Sequence, residues 1–253
     1  MNKSMVIASL SLMVFIPGMM PAQDLATILH QAQKEEKSFH DPEALSKYRE
    51  ALEIQPNNLH ALCRTSELYS LIGKRLSNKT DQKNYFLSGR HYAQLALKTN
   101  PNSSAANLAM ALAMGRIALI SSGEEKVRAG KEIKSYAEKA IRLDPKNYKA
   151  YHILGKWQYE VSDLNPVEKF LMKMVYGELP AASLEDAQRY YEKSKQINPG
   201  FLINYLELAR VYSKKEQYAK AREMINTMLS LPTSTSDDPR IRQLGKEMLE
   251  QLD

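Results

Sequence analysis

Four times along this chain an amphipathic stretch runs into a proline, and a second stretch begins a few residues later. The corners are YREALEIQPNNLHAL around Pro56, YAQLALKTNPNSSAA around Pro101, YAEKAIRLDPKNYKAYHILGKW around Pro145 and YYEKSKQINPGFLINYLELA around Pro199. The third shows what a corner encodes. Ala137, Ala140 and Ile141 fall at i, i+3, i+4 and put small and apolar residues on one helix face. Asp144 precedes Pro145, is pushed out of the helical region, and ends the helix. Tyr151, Leu154 and Gly155 open the next apolar face, and Gly155 is small enough to let a neighbouring helix come close. The fifth residue before each proline is Ala51, Ala96, Ala140 or Ser194, always small, so two helices can cross there.

A repeated helix pair of this kind has the signature of the tetratricopeptide (TPR) repeat, whose period is ~34 residues. The expectation is an all-α chain, a TPR-like right-handed superhelix (an α-α solenoid) of about five helix pairs with a C-terminal capping helix. A repeat array is one cooperative body, so the length of 253 residues does not force a division into two domains, and no Gly- or Pro-rich linker suggests one. The units fall at about 24–57, 59–101, 104–145, 148–199 and 202–232, with a cap over 238–252, all within a single domain over 23–253. The prolines are 45 and 44 residues apart along the first three corners, but 54 separate Pro145 from Pro199. The surplus lies at 165–182. There Asn165-Pro166 can start a short helix and Gly177 can end it. Val167, Phe170, Leu171, Met174 and Val175 form one apolar stripe, which suits either a lid over a groove or a plug in the stretched unit. Ser183 and Asp186 resemble a capping box for the helix that follows.

Residues 1–22 read as a signal peptide. Lys3 supplies positive charge, Met5 to Ile16 is almost wholly apolar, Pro17-Gly18 breaks the run, and Ala22 offers a cleavage point. That run is too short to span a bilayer, which takes ~20 residues. The chain is therefore expected to be exported, periplasmic if the host is Gram-negative, with no transmembrane segment once the leader is cleaved; kept uncleaved, the leader would instead act as an N-terminal anchor. The net charge of +6 is mild and interspersed, with no basic tract of the kind that binds nucleic acid. A lone cysteine, Cys63, cannot form an internal disulfide.

Between Tyr148 and Asp238 the chain becomes more specific than a generic TPR array. It carries Leu154-Gly155-x-Trp157 followed by Tyr159-x-Val161-Ser162. A Glu168-Lys169 helix then ends in Gly177-x-x-Pro180, and a helix pair closes with Leu231-Pro232 before Asp237-Asp238. These features resemble the regulator of microtubule dynamics (protein tyrosine phosphatase-interacting protein) family, over roughly residues 45–250. The resemblance implies a TPR-type adaptor, and phospholipid binding by the helical domain, as in one membrane-tethering animal member. The leader sets this chain apart from the family's membrane-anchored members, and an exported protein would not meet microtubules.

No enzyme signature emerges. The five histidines lack metal-ligand spacing, and neither a phosphate-binding glycine loop nor a Gly-x-Ser-x-Gly turn is present. His60 and Cys63 share a helix face but lack the third group that a nucleophile pair uses. Neither catalytic nor metal residues, nor any cofactor, are expected. The informative surface is the concave one, lined by the first helix of each unit. The TPR register assigns it His60, Cys63, Glu67 and Ser70, then Leu108 and Leu112, then Lys149, His152, Lys156 and Tyr159, then Ile203, Leu206 and Arg210. Apolar residues beside Lys156 and Arg210 suit a protein or peptide carboxylate. The same set suits a phospholipid, an anionic head on an apolar body.

Overall fold

The computed structural model describes residues 22–252, so the expected leader lies outside the described residues except for Ala22, with which the first helix opens. Twelve helices and no strands form among the described residues. They are α1 (Ala22–Lys37), α2 (Asp41–Ile54), α3 (Leu59–Arg75), α4 (Lys79–Thr99), α5 (Ser104–Ile120) and α6 (Gly123–Leu143), then α7 (Tyr148–Ser162), α8 (Pro166–Tyr176), α9 (Leu184–Ile197), α10 (Leu202–Lys214), α11 (Tyr218–Ser230) and α12 (Asp238–Gln251).

Each corner works as its residues dictate. Gln55, Asn100, Asp144 and Asn198 precede the prolines in extended-side conformations and end their helices. Two residues past the first three prolines stand Asn58, Ser103 and Asn147, each accepting a backbone N–H of the next helix through its side-chain oxygen. The fourth corner has Phe201 instead, which makes no cap bond but packs edge-on against Tyr148 and His152 of α7. Ala51, Ala96, Ala140 and Ser194 are all completely buried at the helix crossings. Gly155 is likewise a point of close approach: a Cβ there would stand 2.8 Å from the ring of Tyr191 on α9.

The pairs are α1–α2, α3–α4, α5–α6, α7–α9 and α10–α11, and α12 closes the array against α10 and α11. First helices also touch one another, α3 on α5, α5 on α7 and α7 on α10, so they form the inside of the curve. Three apolar clusters follow that order. One fills pairs one to three, a second joins α5, α6 and α7 around Leu108, Ala140 and Leu154, and a third joins α9 to α12 around Tyr191, Leu206 and Ile225.

The inserted segment α8 lies against α6, where Met172 fills a small cluster with Val127, Trp157 and Val161. Its ends are strongly defined. Asn165 and Glu168 make a reciprocal capping box, and Gly177 takes the left-handed φ of 86° that terminates the helix. At Ser183 the first half of the expected box forms, Oγ accepting from Asp186 N at 3.0 Å. Aspartate is a methylene shorter than the glutamate that completes such boxes.

The ends of the array meet. Ser236, before α12, donates to the Asp41 carboxylate at the start of α2, and Arg75 of α3 donates to the same carboxylate. Asp41 and Asp237 are both buried. An array that contacts only its neighbours would leave these two residues far apart.

Candidate inner-face recognition site

The first helices present two charged ladders on the inner face. In one, Arg64 of α3 donates to Glu36 of α1 and to Glu67 one turn on. Lys149 of α7 reaches over to Glu67 at 3.1 Å, and Tyr48 Oη donates to Glu36 at 3.1 Å. Burial disfavours the Glu67 charge, but Lys149 and Arg64 outweigh it and hold the carboxyl down to about 2. Glu67 in turn raises the Lys149 ammonium above its ordinary range.

In the other ladder, Glu207 of α10 is the hub. Lys156 of α7 stands 3.2 Å from it, and Arg210 donates to it at 2.8 Å. Lys156 also pairs with Glu160 at 2.9 Å, and its ammonium lies 5.6 Å from the centre of the Tyr159 ring, which Lys214 approaches from 5.8 Å. Burial works against the Lys156 charge, and Glu207 with Glu160 overcomes it and raises the pKa. Lys156 and Arg210 therefore come together, but the carboxylates of Glu207 and Glu160 balance their charge.

His152 sits between the ladders. Its Nδ1 is 3.0 Å from Asn204 Oδ1, while Asn204 Nδ2 donates to the Tyr191 carbonyl, so an acceptor faces the ring and places the proton on Nδ1. Burial lowers its pKa and keeps it neutral.

The remaining expected residues divide. Leu108 and Leu206 are buried in helix packing, at 6% and 1% exposure, and Leu112 is half-buried against the same cluster as Leu108. None of the three offers a free apolar lining. The stripe on α8 is split as well. Leu171 and Val175 pack inward beside Met172, whereas Val167, Phe170 and Met174 face outward. A single helix cannot bury a stripe that wide against one partner, so its two edges take opposite sides. Since α8 rests on α6, a second helix of its pair, these residues do not lie over the inner face.

Glu36, Asn204 and Glu207 lie outside the residues to which the sequence points. Glu207 stands three residues before Arg210, a spacing that signals an ion pair on a helix. Glu36 and Asn204 carry no such local signal. A cavity of about 250 Å³ also opens on the outer side between α4 and α6, with Met110 and Met114 beneath and Arg90 and Glu132 at its rim.

Burial pushes the Cys63 thiol up to about 12, so no thiolate forms there, and no metal-binding cluster of acids, histidines and cysteine occurs among the described residues. No helix among them is long and apolar enough to cross a membrane.

Helix pairs crossing at small residues, curved with their first helices inward, define a TPR-like α-solenoid. Solved structures share this fold at low identity. A thermophilic TPR protein of Thermus thermophilus superposes with a TM-score of 0.64 at 13% identity, covering 89% of this chain and 99% of that one. PilW, a type IV pilus biogenesis factor, gives 0.55 at 17%, covering 92% and 91%. The chain belongs to the regulator of microtubule dynamics family: the model for regulator of microtubule dynamics protein 1-3 matches residues 25–253. Regulator of microtubule dynamics protein 3 of Mus musculus is 27% identical over 87% of this chain and 46% of its own length. Protein 1 of Caenorhabditis elegans is 27% identical over 82% of this chain and 90% of its own. The chain thus spans about half the length of the mouse relative and most of the nematode one.

Proposed function

We propose that this chain is a non-catalytic binding scaffold that holds a protein or peptide partner along its inner face. One observation carries the reading: the apolar side chains of that face are spent on packing, and the two charged ladders are what it presents. Half-buried, pre-oriented Lys149, Lys156, Tyr159 and Arg210, each cation already beside a carboxylate, suit the peptide groups and mixed charges of a polypeptide. An acyl chain would find few partners among them. Export, with cleavage after Ala22, rests on the apolar run from Met5 to Ile16. On that reading the chain works away from the microtubules in its relatives' name.

Phospholipid binding is the alternative, favoured by the outer face of α8, where Val167, Phe170 and Met174 are 68%, 64% and 62% exposed. The two readings separate in one experiment. A photo-crosslinking residue at Tyr159 is expected to capture a discrete partner in cells, and Lys156→Glu with Arg210→Glu is expected to abolish the product. Native mass spectrometry of detergent-free protein is expected to show the bare chain mass. Phospholipid adducts lost in Phe170→Asp, with no crosslink at Tyr159, would reverse the assignment.

A further inference from the structure

The cavity of about 250 Å³ between α4 and α6 shares no residue with either ladder. Met110 and Met114 of α5, both buried, form its floor, and Tyr136 of α6 forms one wall. Arg90 and Gln94 stand on the α4 rim and Glu132 on the α6 rim. The side chains of Arg90, Gln94, Glu132 and Tyr136 make no hydrogen bond or ion pair among the described residues. Two opposite charges and an apolar floor therefore face one space, which is the composition of a small-molecule site.

The repeat supplies its own comparison. The 45-residue step from Pro56 to Pro101 sets Leu45 against Arg90 and Tyr69 against Met114, and the 44-residue step to Pro145 sets Tyr92 against Tyr136. In the earlier unit Leu45 is buried, and the Tyr69 ring stacks on Tyr92 with centroids 5.6 Å apart and planes 14° apart. In the later unit the counterparts of Arg90 and Gln94 are Lys134 and Glu138, which pair with each other at 3.8 Å. Lys134 also lies 4.9 Å over the Trp157 ring, and Gln158, the counterpart of Met114, accepts from Ser183 N at 3.3 Å. Between α4 and α6 the same positions do neither. A methionine stands where the earlier unit has a ring, and Tyr136 makes no ring contact among the described residues.

We propose that this cavity seats an aromatic ring bearing a carboxylate, stacked on Tyr136 above Met110 and Met114, with the carboxylate on Arg90. The ring takes the place on Tyr136 that Tyr69 holds on Tyr92. Stacking on a phenol and contact with methionine sulfur favour an aromatic group over an aliphatic one. The guanidinium fork of Arg90 receives a carboxylate through two parallel bonds. The volume is below the ~300–1,000 Å³ of sites for drug-sized ligands, so the occupant is about one residue in size. Two sources supply this chemistry. A free aromatic amino acid would bring an ammonium to Glu132 as well, whereas the C-terminal aromatic residue of a polypeptide has only an uncharged amide there. The seat is on the outer side and does not depend on the reading of the inner face.

The test is calorimetric titration of the full chain with L-phenylalanine, N-acetyl-L-phenylalanine and N-acetyl-L-phenylalaninamide, and with the matching leucine compounds as controls. Saturable binding of one or both phenylalanine carboxylates is expected, about tenfold tighter than the amide, the scale of one charged hydrogen bond. The leucine compounds should bind severalfold more weakly. Arg90→Gln, which breaks no internal bond, is expected to weaken binding about tenfold. Met114→Tyr supplies a ring from within, as Tyr69 does, and is expected to abolish binding while the helical circular dichroism is unchanged. L-phenylalanine binding tighter than its N-acetyl form, with the difference lost in Glu132→Gln, assigns the seat to the free amino acid. An N-acetyl form at least as tight assigns it to a chain end. The proposal is overturned by absence of saturable binding, by equal binding of the leucine compounds or the amide, or by binding unchanged in both Arg90→Gln and Met114→Tyr.

Discussion

At the scale of single residues, the helix crossings and the ladder hubs set the tolerances. Gly155 has no room for a side chain beneath Tyr191, which is itself completely buried. Gly155→Ala is expected to cost about 1–3 kcal/mol by overpacking, read as a lower urea midpoint. Glu67 carries a pH signature. Its folded pKa of about 2 lies below the ~4.3 of an unfolded glutamate, so its contribution is complete above the unfolded value and is lost as pH falls through the folded one. Glu67→Gln should therefore destabilise at neutral pH by up to about 3 kcal/mol, and the gap from the parent chain should close as pH drops from about 4.5 to about 2. A gap constant across that range would show that Glu67 acts through packing alone. The residues at the corners were legible because local rules govern them: a proline, a cap and a small crossing residue act within a few positions. Asn204 was not legible, because its partners, His152 and the Tyr191 carbonyl, come from other helices.

At the scale of elements, α8 shows the limit of periodicity. Its boundaries follow from Asn165-Pro166 and Gly177, and its existence from the proline spacing. Which edge of its stripe faces inward depends on where α6 and Trp157 stand, and no spacing within 165–182 carries that. The orientation can be tested by a pair of substitutions. Met172→Ala, at 4% exposure, is expected to cost about 2–5 kcal/mol, whereas Phe170→Ala, at 64%, should leave the stability within about 0.5 kcal/mol of the parent. The reverse order would mean that α8 is turned over. Trp157 of α7 fixes the platform on which α8 rests: its indole N–H donates to the Gly130 carbonyl of α6 at 3.0 Å, and it packs in one cluster with Met172. Trp157→Phe should loosen α8 first, seen as faster amide exchange over 166–176 than elsewhere.

At the scale of the whole molecule, the closure between Asp41, Arg75 and the loop before α12 makes the array more than a chain of neighbours. Arg75→Ala severs that link and is expected to lower both stability, by about 1–3 kcal/mol, and the denaturant slope, as the terminal pairs begin to unfold separately. By itself the sequence determined what depends on near neighbours: an all-helical array of crossing pairs, the places where each helix stops, and the one unit that is stretched. The tertiary structure alone decided the rest. It set Lys156 and Arg210 on a common carboxylate, buried Leu108 and Leu206, turned α8 onto α6, and brought Ser236 to Asp41 across the array. The reason is physical. Helix caps and crossings are fixed by interactions a few residues long. The curvature that joins residues 195 positions apart accumulates from small rotations at every pair, and no single stretch encodes it.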